Sequence, residues 1–254
     1  MPDDSQTWPA SVFSLVTGAF LLPIGRVADI YGGSTVFLAG LVWFFVWSLI
    51  AGFSQNYEML IAVRALQGFG PSAFLVAGVM LLGQTYRPGP RKNLVFSLYG
   101  AFAPLGFFFG IILGGVTAEL LSWRWYFWLG SVVILVVCIT SFIAVPRHLS
   151  RPQKEDVVMD YWGLLTIVPA LILIIFAITD GAHAPHGWKT PYVIVCFLIG
   201  LIFLGLAVYV EGWVSPQPLL PFGLFRPKYM KTLVVSLFLT YGAFGIYLFY
   251  ASFR

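Results

Sequence analysis

The stretch IAVRALQGFGPSAF, residues 61–74, places one arginine inside a long apolar run. The residues around Arg64 have the composition of a helix that crosses a lipid bilayer. A charge near the bilayer centre costs about 2.5–3.5 kcal/mol on insertion scales, so such a residue is expected to face a bundle interior or a wet cavity. The stretch therefore predicts a membrane protein in which Arg64 is a candidate functional residue.

The composition of the whole chain supports a membrane environment. Of 254 residues, 59% are hydrophobic and 9% are charged, and the mean hydropathy is +0.90. A soluble domain carries roughly 25% charged residues, so this chain could not cover a water-facing surface. The sequence predicts an all-α, polytopic integral membrane protein, with the lipid bilayer as its main partner.

Eight apolar segments follow one another along the chain. A helix needs about 20 residues to cross a hydrocarbon core of about 30 Å, and each segment approaches that length. We therefore expect about eight transmembrane helices. The predicted spans are residues 8–27, 34–53, 58–84, 93–118, 125–145, 162–179, 192–213 and 232–252.

The basic residues of the connections predict the orientation. Alternate connections place ten cations on one side, and only Arg124 and Lys189, with Arg254 at the chain end, on the other. By the positive-inside rule the ten face the cytoplasm, and both chain ends then lie outside. An exported, acidic amino terminus without a basic signal peptide suggests that a first span is missing. The ten are Arg26, Arg87, Arg91, Lys92, Arg147, Arg151, Lys154, Arg226, Lys228 and Lys231.

Neither a metal site nor a disulfide is predicted. Asp180, His183 and His186 share one short connection, but their spacing matches no standard set of metal ligands. Cys138 and Cys196 each lie inside an apolar run, where packing as small hydrophobic residues is the favoured interpretation. We expect no cofactor, no nucleic-acid partner and no enzymatic activity, since only Arg64 offers a charge at depth.

Three groups of residues are candidates for function. In the first group, GRVADIYGG, residues 25–33, the glycines suit a tight turn. Asp29 could accept hydrogen bonds from helix amides or pair with Arg26, and an ordinary polar loop is the alternative.

The second group is on the third span, where Arg64 and Gln67 share a helix face, with Gly68 one turn beyond Arg64. Arg64 lies about 9 Å from the start of its span, so snorkelling to the interface is the alternative there.

The third group is a line of glycines in the fourth span. Gly106, Gly110 and Gly114 are spaced by four residues and predict a smooth groove on one helix face. Small residues at this spacing let helices approach closely in lipid. We expect the spans 58–84 and 93–118 to pack together through this groove.

At these three places the sequence resembles the major facilitator superfamily, in particular its fourteen-span drug:proton antiporter branch and the fungal aminotriazole-resistance-type permeases. Residues 25–37 resemble the loop motif G-x-L-A-D-r-x-G-r-k-x-x-l, and LIAVRALQGFGPS, residues 60–72, resembles l-x-x-x-R-x-x-q-G-x-g-a-a. GFFFGIILGG, residues 106–115, resembles the antiporter motif g-x-x-x-G-P-x-x-G-G. Ile30, Gly33 and Ser34 stand where the loop motif has basic residues, and Ile111 replaces the proline of the antiporter motif.

The resemblance implies roles for these residues. Arg64 and Gln67 would belong to the central cavity and its proton coupling, and Gly25, Asp29 and Gly32 to a gating loop. Gly106, Gly110, Gly114 and Gly115 would be the packing glycines of the antiporter motif. The implied function is proton-coupled efflux of small amphipathic drugs, toxins or secondary metabolites across the cell membrane. The alternative is a truncated, transport-inactive protein acting as a scaffold, a partner-dependent subunit or a decayed gene product.

The resemblance also implies a partial version of the family's fold. Residues 1–146 would form most of the amino-terminal six-helix half without its first span, and 147–160 a cytoplasmic linker. Residues 161–213 would form two extra linker spans, 214–231 a cytoplasmic loop, and 232–254 the first helix of the carboxyl-terminal half. About five later spans would be absent.

Overall fold

The computed structural model describes residues 8–145, 157–181 and 184–251, without the side chains of Phe222 and of residues 244–251. These described residues form helices joined by short connections and contain no strand, as the sequence predicts. The α-helices are α1 (Trp8–Tyr31), α2 (Gly33–Gly52), α3 (Tyr57–Gln67), α4 (Phe69–Thr85), α5 (Pro90–Leu120), α6 (Trp123–Ala144), α7 (Tyr161–Asp180), α8 (Pro191–Tyr209) and α9 (Met230–Ala251).

Seven helical segments of the described chain are long and apolar enough to cross a membrane. They are α1, α2, the unit formed by α3 and α4, α5, α6, α7, and α8 with the π-helical turn Val210–Val214 that extends it. The last predicted span corresponds to α9, whose side chains the structure describes over residues 230–243. The prediction of a multi-pass, all-helical membrane protein is confirmed.

Gly68 divides the third span into α3 and α4 without turning the chain. Its φ of −59° and ψ of −23° are helical, and its amide donates to the carbonyls of Arg64 (3.1 Å) and Ala65 (3.2 Å). A Cβ at this position would lie 2.8 Å from the carbonyl oxygen of Phe13 on α1. Thr17 of α1 also donates to the carbonyl of Gly68 at 3.1 Å. Glycine at this point lets α1 pack against the junction at backbone distance.

A close helix contact lies between α2 and α4. A Cβ on Gly40 would lie 2.6 Å from Cβ of Ala73 and 3.1 Å from the carbonyl oxygen of Gly70. A Cβ on Gly70 would lie 2.6 Å from Cβ of Phe44. Helices in lipid associate through such small residues because only they permit close backbone approach. This contact fixes the position of the α3–α4 unit that carries Arg64.

Helices α7 and α8 pack against each other in a similar way, and α7 also contacts α1. Gly200 of α8 faces α7, and a Cβ there would lie 2.7 Å from Cγ1 of Ile174. The ring of Phe176 on α7 lies 5.5 Å from that of Trp8 on α1. On the other side of the bundle, Trp128 of α6 fills the space that a side chain at Gly52 of α2 would need.

The glycine line of α5 does not pack against α4, contrary to the sequence prediction. A Cβ at Gly106, Gly110 or Gly115 would meet no atom within 4 Å in the described structure, and one at Gly114 would only touch the ring of Tyr126 at 3.6 Å. Apart from Thr117, the residues of α5 are not buried, because α5 rests mainly on α6. The groove is present, but it borders open space.

Candidate functional site

Arg64 lies in the last turn of α3, where three groups hold its guanidinium. Its Nε donates to the carbonyl of Pro9 at 3.1 Å, and its Nη1 donates to Oε1 of Gln67 at 2.7 Å. Its Cζ lies 4.1 Å from the ring centre of Phe13, a cation–π distance, and 5.8 Å from that of Phe127. The side chain is half-buried and oriented by α1, α3 and α6 together.

Gln67 extends this cluster to α2. Its Nε2 donates to Oγ of Ser48 on α2 at 2.5 Å, and both side chains are only 2% exposed. The amide orientation follows from its partners, since arginine can only donate and must therefore face Oε1. The sequence predicts that Arg64 and Gln67 share a face, and the structure brings them into direct contact. Pro9 and Ser48 were not predicted as partners of this cluster. The sequence does not reveal which residues of α1 and α2 lie opposite Arg64 and Gln67 on α3.

A cavity of about 290 Å³ opens beside this cluster. Arg64, Gln67 and Ser48 form one polar part of its wall, and Thr117 of α5 is a further polar lining residue. The remaining lining residues are mostly apolar and come from α1, α2, α5 and α6. Among all the lining residues that the structure describes, Arg64 is the only charged one. The apolar and aromatic part of the wall includes Phe13, Phe44, Phe109, Leu113, Tyr126 and Phe127.

Two of the α5 glycines belong to this cavity. Gly106 and Gly110 line it, and neither would meet a neighbour if it carried a Cβ. Gly114 lies against Tyr126, itself a lining residue, while Gly115 faces open space. In the structure, the absence of side chains at Gly106 and Gly110 widens the cavity.

The predicted turn at residues 25–33 is shorter than the sequence indicates. α1 continues through Tyr31, so Gly25 is helical, and a Cβ on it would lie 3.1 Å from Cγ1 of Val76. Only Gly32, with a φ of 90°, adopts the positive φ that favours glycine, and Gly33 already begins α2.

Arg26 does not pair with Asp29 in the part of the chain that the structure describes. Its Nε donates to the carbonyl of Val158 at 3.0 Å, and its Nη2 donates to the backbone and side-chain oxygens of Gln217 at 3.1 and 2.9 Å. Because Asp29 belongs to the continued helix, it lies one turn along α1 from Arg26. Arg26 thus joins α1 to the segments that precede α7 and follow α8.

The candidate metal loop shows ordinary protein contacts. Asp180 accepts a hydrogen bond from the hydroxyl of Tyr192 at 2.5 Å, and His186 is bonded through its backbone amide to Thr190 at 3.3 Å. His183 lies outside the described residues. No group of three potential metal ligands occurs among the described residues, and Cys138 and Cys196 are free thiols.

Comparison with known proteins identifies the family. Residues 1–253 match the Major Facilitator Superfamily. The chain belongs to that superfamily. The resemblance of the three motifs is therefore confirmed at the family level.

Three fungal proteins are among the relatives of this facilitator chain. A low affinity ammonium transporter of Saccharomyces cerevisiae is 36% identical over 253 residues, covering 96% of this chain and 48% of that protein. The efflux pump terJ of Aspergillus terreus is 34% identical over 251 residues, covering 96% and 48%. The aminotriazole resistance protein of Saccharomyces cerevisiae is 34% identical over 254 residues, covering 97% and 46%.

The facilitator chain spans about half the length of these curated relatives. The family and the relatives' names agree with the prediction that it is not an enzyme. The predicted division into an amino-terminal half, two linker spans and one further helix stays a proposal.

Proposed function

We propose that this chain forms part of a proton-coupled facilitator that exports small amphipathic molecules across the plasma membrane. The observation that carries the proposal is the placement of Arg64 on the wall of a largely apolar cavity, fixed there by Pro9 and Gln67. An aromatic wall with one fixed polar corner suits molecules that combine an apolar body with a polar group. Relatives named as an efflux pump and as a resistance protein support export as the direction.

Arg64 would act in this proposal through its charge. A cation in a low-dielectric site interacts strongly with ionisable groups nearby, so its presence favours the deprotonated form of a facing carboxylate. No described lining residue carries a carboxylate. The acid that exchanges the proton would therefore face Arg64 from the rest of the transporter, across the interface where facilitator halves rock about a central site.

The test replaces the matching part of the aminotriazole resistance protein with this chain and measures dye efflux in a host that lacks its own pumps. Arg64→Ala should abolish proton-driven efflux while surface expression is kept. Arg64→Lys should retain part of the activity, because it keeps the charge but loses the planar guanidinium fork. Arg87→Ala, which removes an exposed cation outside the cavity, is the matched control and should transport normally.

Two outcomes would overturn the proposal. The first is efflux by the Arg64→Ala chimera at the level of the unmodified chimera. This would show that Arg64 is not needed for transport and would favour a side chain that only snorkels to the membrane interface. A chimera that reaches the membrane, folds and transports nothing would favour the alternative of a transport-inactive membrane protein. In a parallel arm, the 254-residue chain expressed alone should show no proton-driven efflux.

A further inference from the structure

Two buried carboxyl groups meet where α7 begins and α8 ends, away from the Arg64 cavity. Asp160 directly precedes α7 and caps it, and Glu211 lies in the π-helical turn Val210–Val214 that extends α8. Asp160 is 6% exposed and Glu211 is 7% exposed. Acidic side chains are rarely buried to this degree unless they are paired.

Each carboxyl group has one oxygen with a partner and one without. Oδ1 of Asp160 accepts a hydrogen bond from the amide of Gly163 at 2.9 Å, and Oε2 of Glu211 accepts one from the amide of Leu220 at 2.8 Å. Oδ2 of Asp160 and Oε1 of Glu211 are buried and have no hydrogen-bond partner in the described part of the chain. Burying a carboxylate oxygen without a hydrogen-bond partner destabilises the folded protein.

Gly163 shows that the two unpartnered oxygens face the same space. A Cβ built on this glycine would lie 2.5 Å from Oδ2 of Asp160 and 2.5 Å from Oε1 of Glu211. Both oxygens therefore lie within that distance of one point, and the gap between them is at most twice as long. Any side chain at position 163 would occupy the space that the two carboxyl groups share.

In the described part of the chain, the basic residue beside this pair is Arg26, and its Nε and Nη2 donors already have partners. Arg26 of α1 donates to the carbonyl of Val158 and to both oxygens of Gln217, so it frames the pair but donates to neither unpartnered oxygen. At this end of α1, α7 and α8, the other described ionisable side chains are Asp29 and the exposed phenols of Tyr31, Tyr161 and Tyr209. Asp180, Tyr192 and Cys196 belong to the opposite halves of α7 and α8. Two carboxylates this close, with no counter-charge between them among the described residues, cannot both remain ionised without a large energetic cost.

We propose that Asp160 and Glu211 form a proton-binding site that holds one shared proton between Oδ2 and Oε1. One carboxylate takes the proton from solution and becomes an O–H donor, and the other remains ionised and accepts that hydrogen bond. The charge of the pair changes from two negative charges to one, and no further reactant is needed. Gly163 is required because only glycine leaves the space between the two oxygens open. The proposal concerns a site separate from the cavity and does not depend on transport.

The experiment uses the purified 254-residue chain in lipid nanodiscs and follows protonated carboxyl groups by infrared difference spectroscopy over a pH series. The wild-type protein should show a protonated-carboxyl C=O band at neutral pH that shifts in D₂O and disappears as the pH is raised. Asp160→Asn and Glu211→Gln should each remove this band, because an amide can donate the hydrogen bond without holding the proton. Glu58→Gln, at an exposed carboxyl group on α3, is the matched control and should leave the band unchanged.

Unfolding measurements provide a second readout on the same proteins. If the folded state holds one proton that the unfolded chain releases, the unfolding equilibrium constant should rise with pH by up to about tenfold per pH unit over that titration. The two amide variants should lose this dependence while remaining folded. Gly163→Ala should destabilise the protein, and the amide variants keep the proposal testable if it does not fold.

Three results would overturn the proposal. The first is the lack of a titrating carboxyl band in the wild-type protein. The second is a band that survives in both amide variants. The third is a stability that depends on added Na⁺, K⁺ or Mg²⁺ at fixed pH and loses this dependence in the amide variants, because a bound cation would then hold the pair.

Discussion

At the scale of single residues, Gln67 links the charge of Arg64 to the helix bundle. It accepts from Arg64 and donates to Ser48 while being almost fully buried, so two helices share one amide. An arginine in lipid is tolerated when its donors are satisfied inside the bundle. Gln67 supplies one acceptor and the carbonyl of Pro9 the other.

Gln67→Leu should therefore destabilise the protein although it increases hydrophobicity. The change removes both hydrogen bonds and leaves Nη1 of Arg64 and the Ser48 hydroxyl without this partner, at a cost of about 1–3 kcal/mol. Thermal unfolding of the protein in detergent, followed by fluorescence, measures the effect. Gln55→Leu changes an exposed glutamine near the start of α3 and should have little effect. Equal unfolding temperatures for both variants would show that the cluster contributes nothing to stability.

At the scale of helices, the glycines fall into two classes that the sequence does not distinguish. Gly70 faces α2 with no space for a side chain, whereas Gly110 faces the cavity with open space around it. Both lie in apolar helices, so the sequence alone predicts a helix-packing role for each of them.

Gly70→Leu and Gly110→Leu should accordingly behave differently. A side chain at position 70 would push against Phe44, and overpacking of this kind costs about 1–3 kcal/mol or more. Leucine at position 110 should leave stability nearly unchanged and instead fill part of the cavity. Size-exclusion profiles and unfolding temperatures of the two variants, at matched expression, separate these effects. A loss of folded protein with Gly110→Leu alone would favour the helix-packing role that the sequence predicts for this residue.

The difference between the two classes shows what the sequence could and could not predict. Segment length and hydropathy locate the spans, because any helix that crosses lipid must be long and apolar. The contact between Arg64 and Gln67 is also predictable, because residues three apart on one helix lie on the same face. Which face of α5 meets a neighbour is not predictable, because a helix that is apolar all round has no stripe to mark its packing side. The proximity of Asp160 to Glu211 likewise depends on contacts between segments distant in sequence. The sequence does not predict the extension of α1 to Tyr31, because the glycines of residues 25–33 suggest a longer turn.

At the scale of the whole molecule, the structure groups the helix ends that the charge pattern assigns to one side. Arg26 near the end of α1 binds the segment before α7 and the segment after α8 through Val158 and Gln217. These are connections that the positive-inside rule places in the cytoplasm. The Lys189 connection, between α7 and α8, lies at the opposite end of those helices.

Labelling of single cysteines should therefore distinguish the two ends of the α7–α8 pair. In a background with Cys138 and Cys196 replaced by serine, Lys189→Cys should react with a membrane-impermeant maleimide in intact cells. Lys228→Cys should react only after the membrane is permeabilised, because it belongs to the cation-rich side. Both positions are exposed in the structure, so a difference in labelling reports the side of the membrane and not burial. A reversed pattern would invert the orientation, and equal labelling of both in intact cells would show that α8 does not cross the membrane.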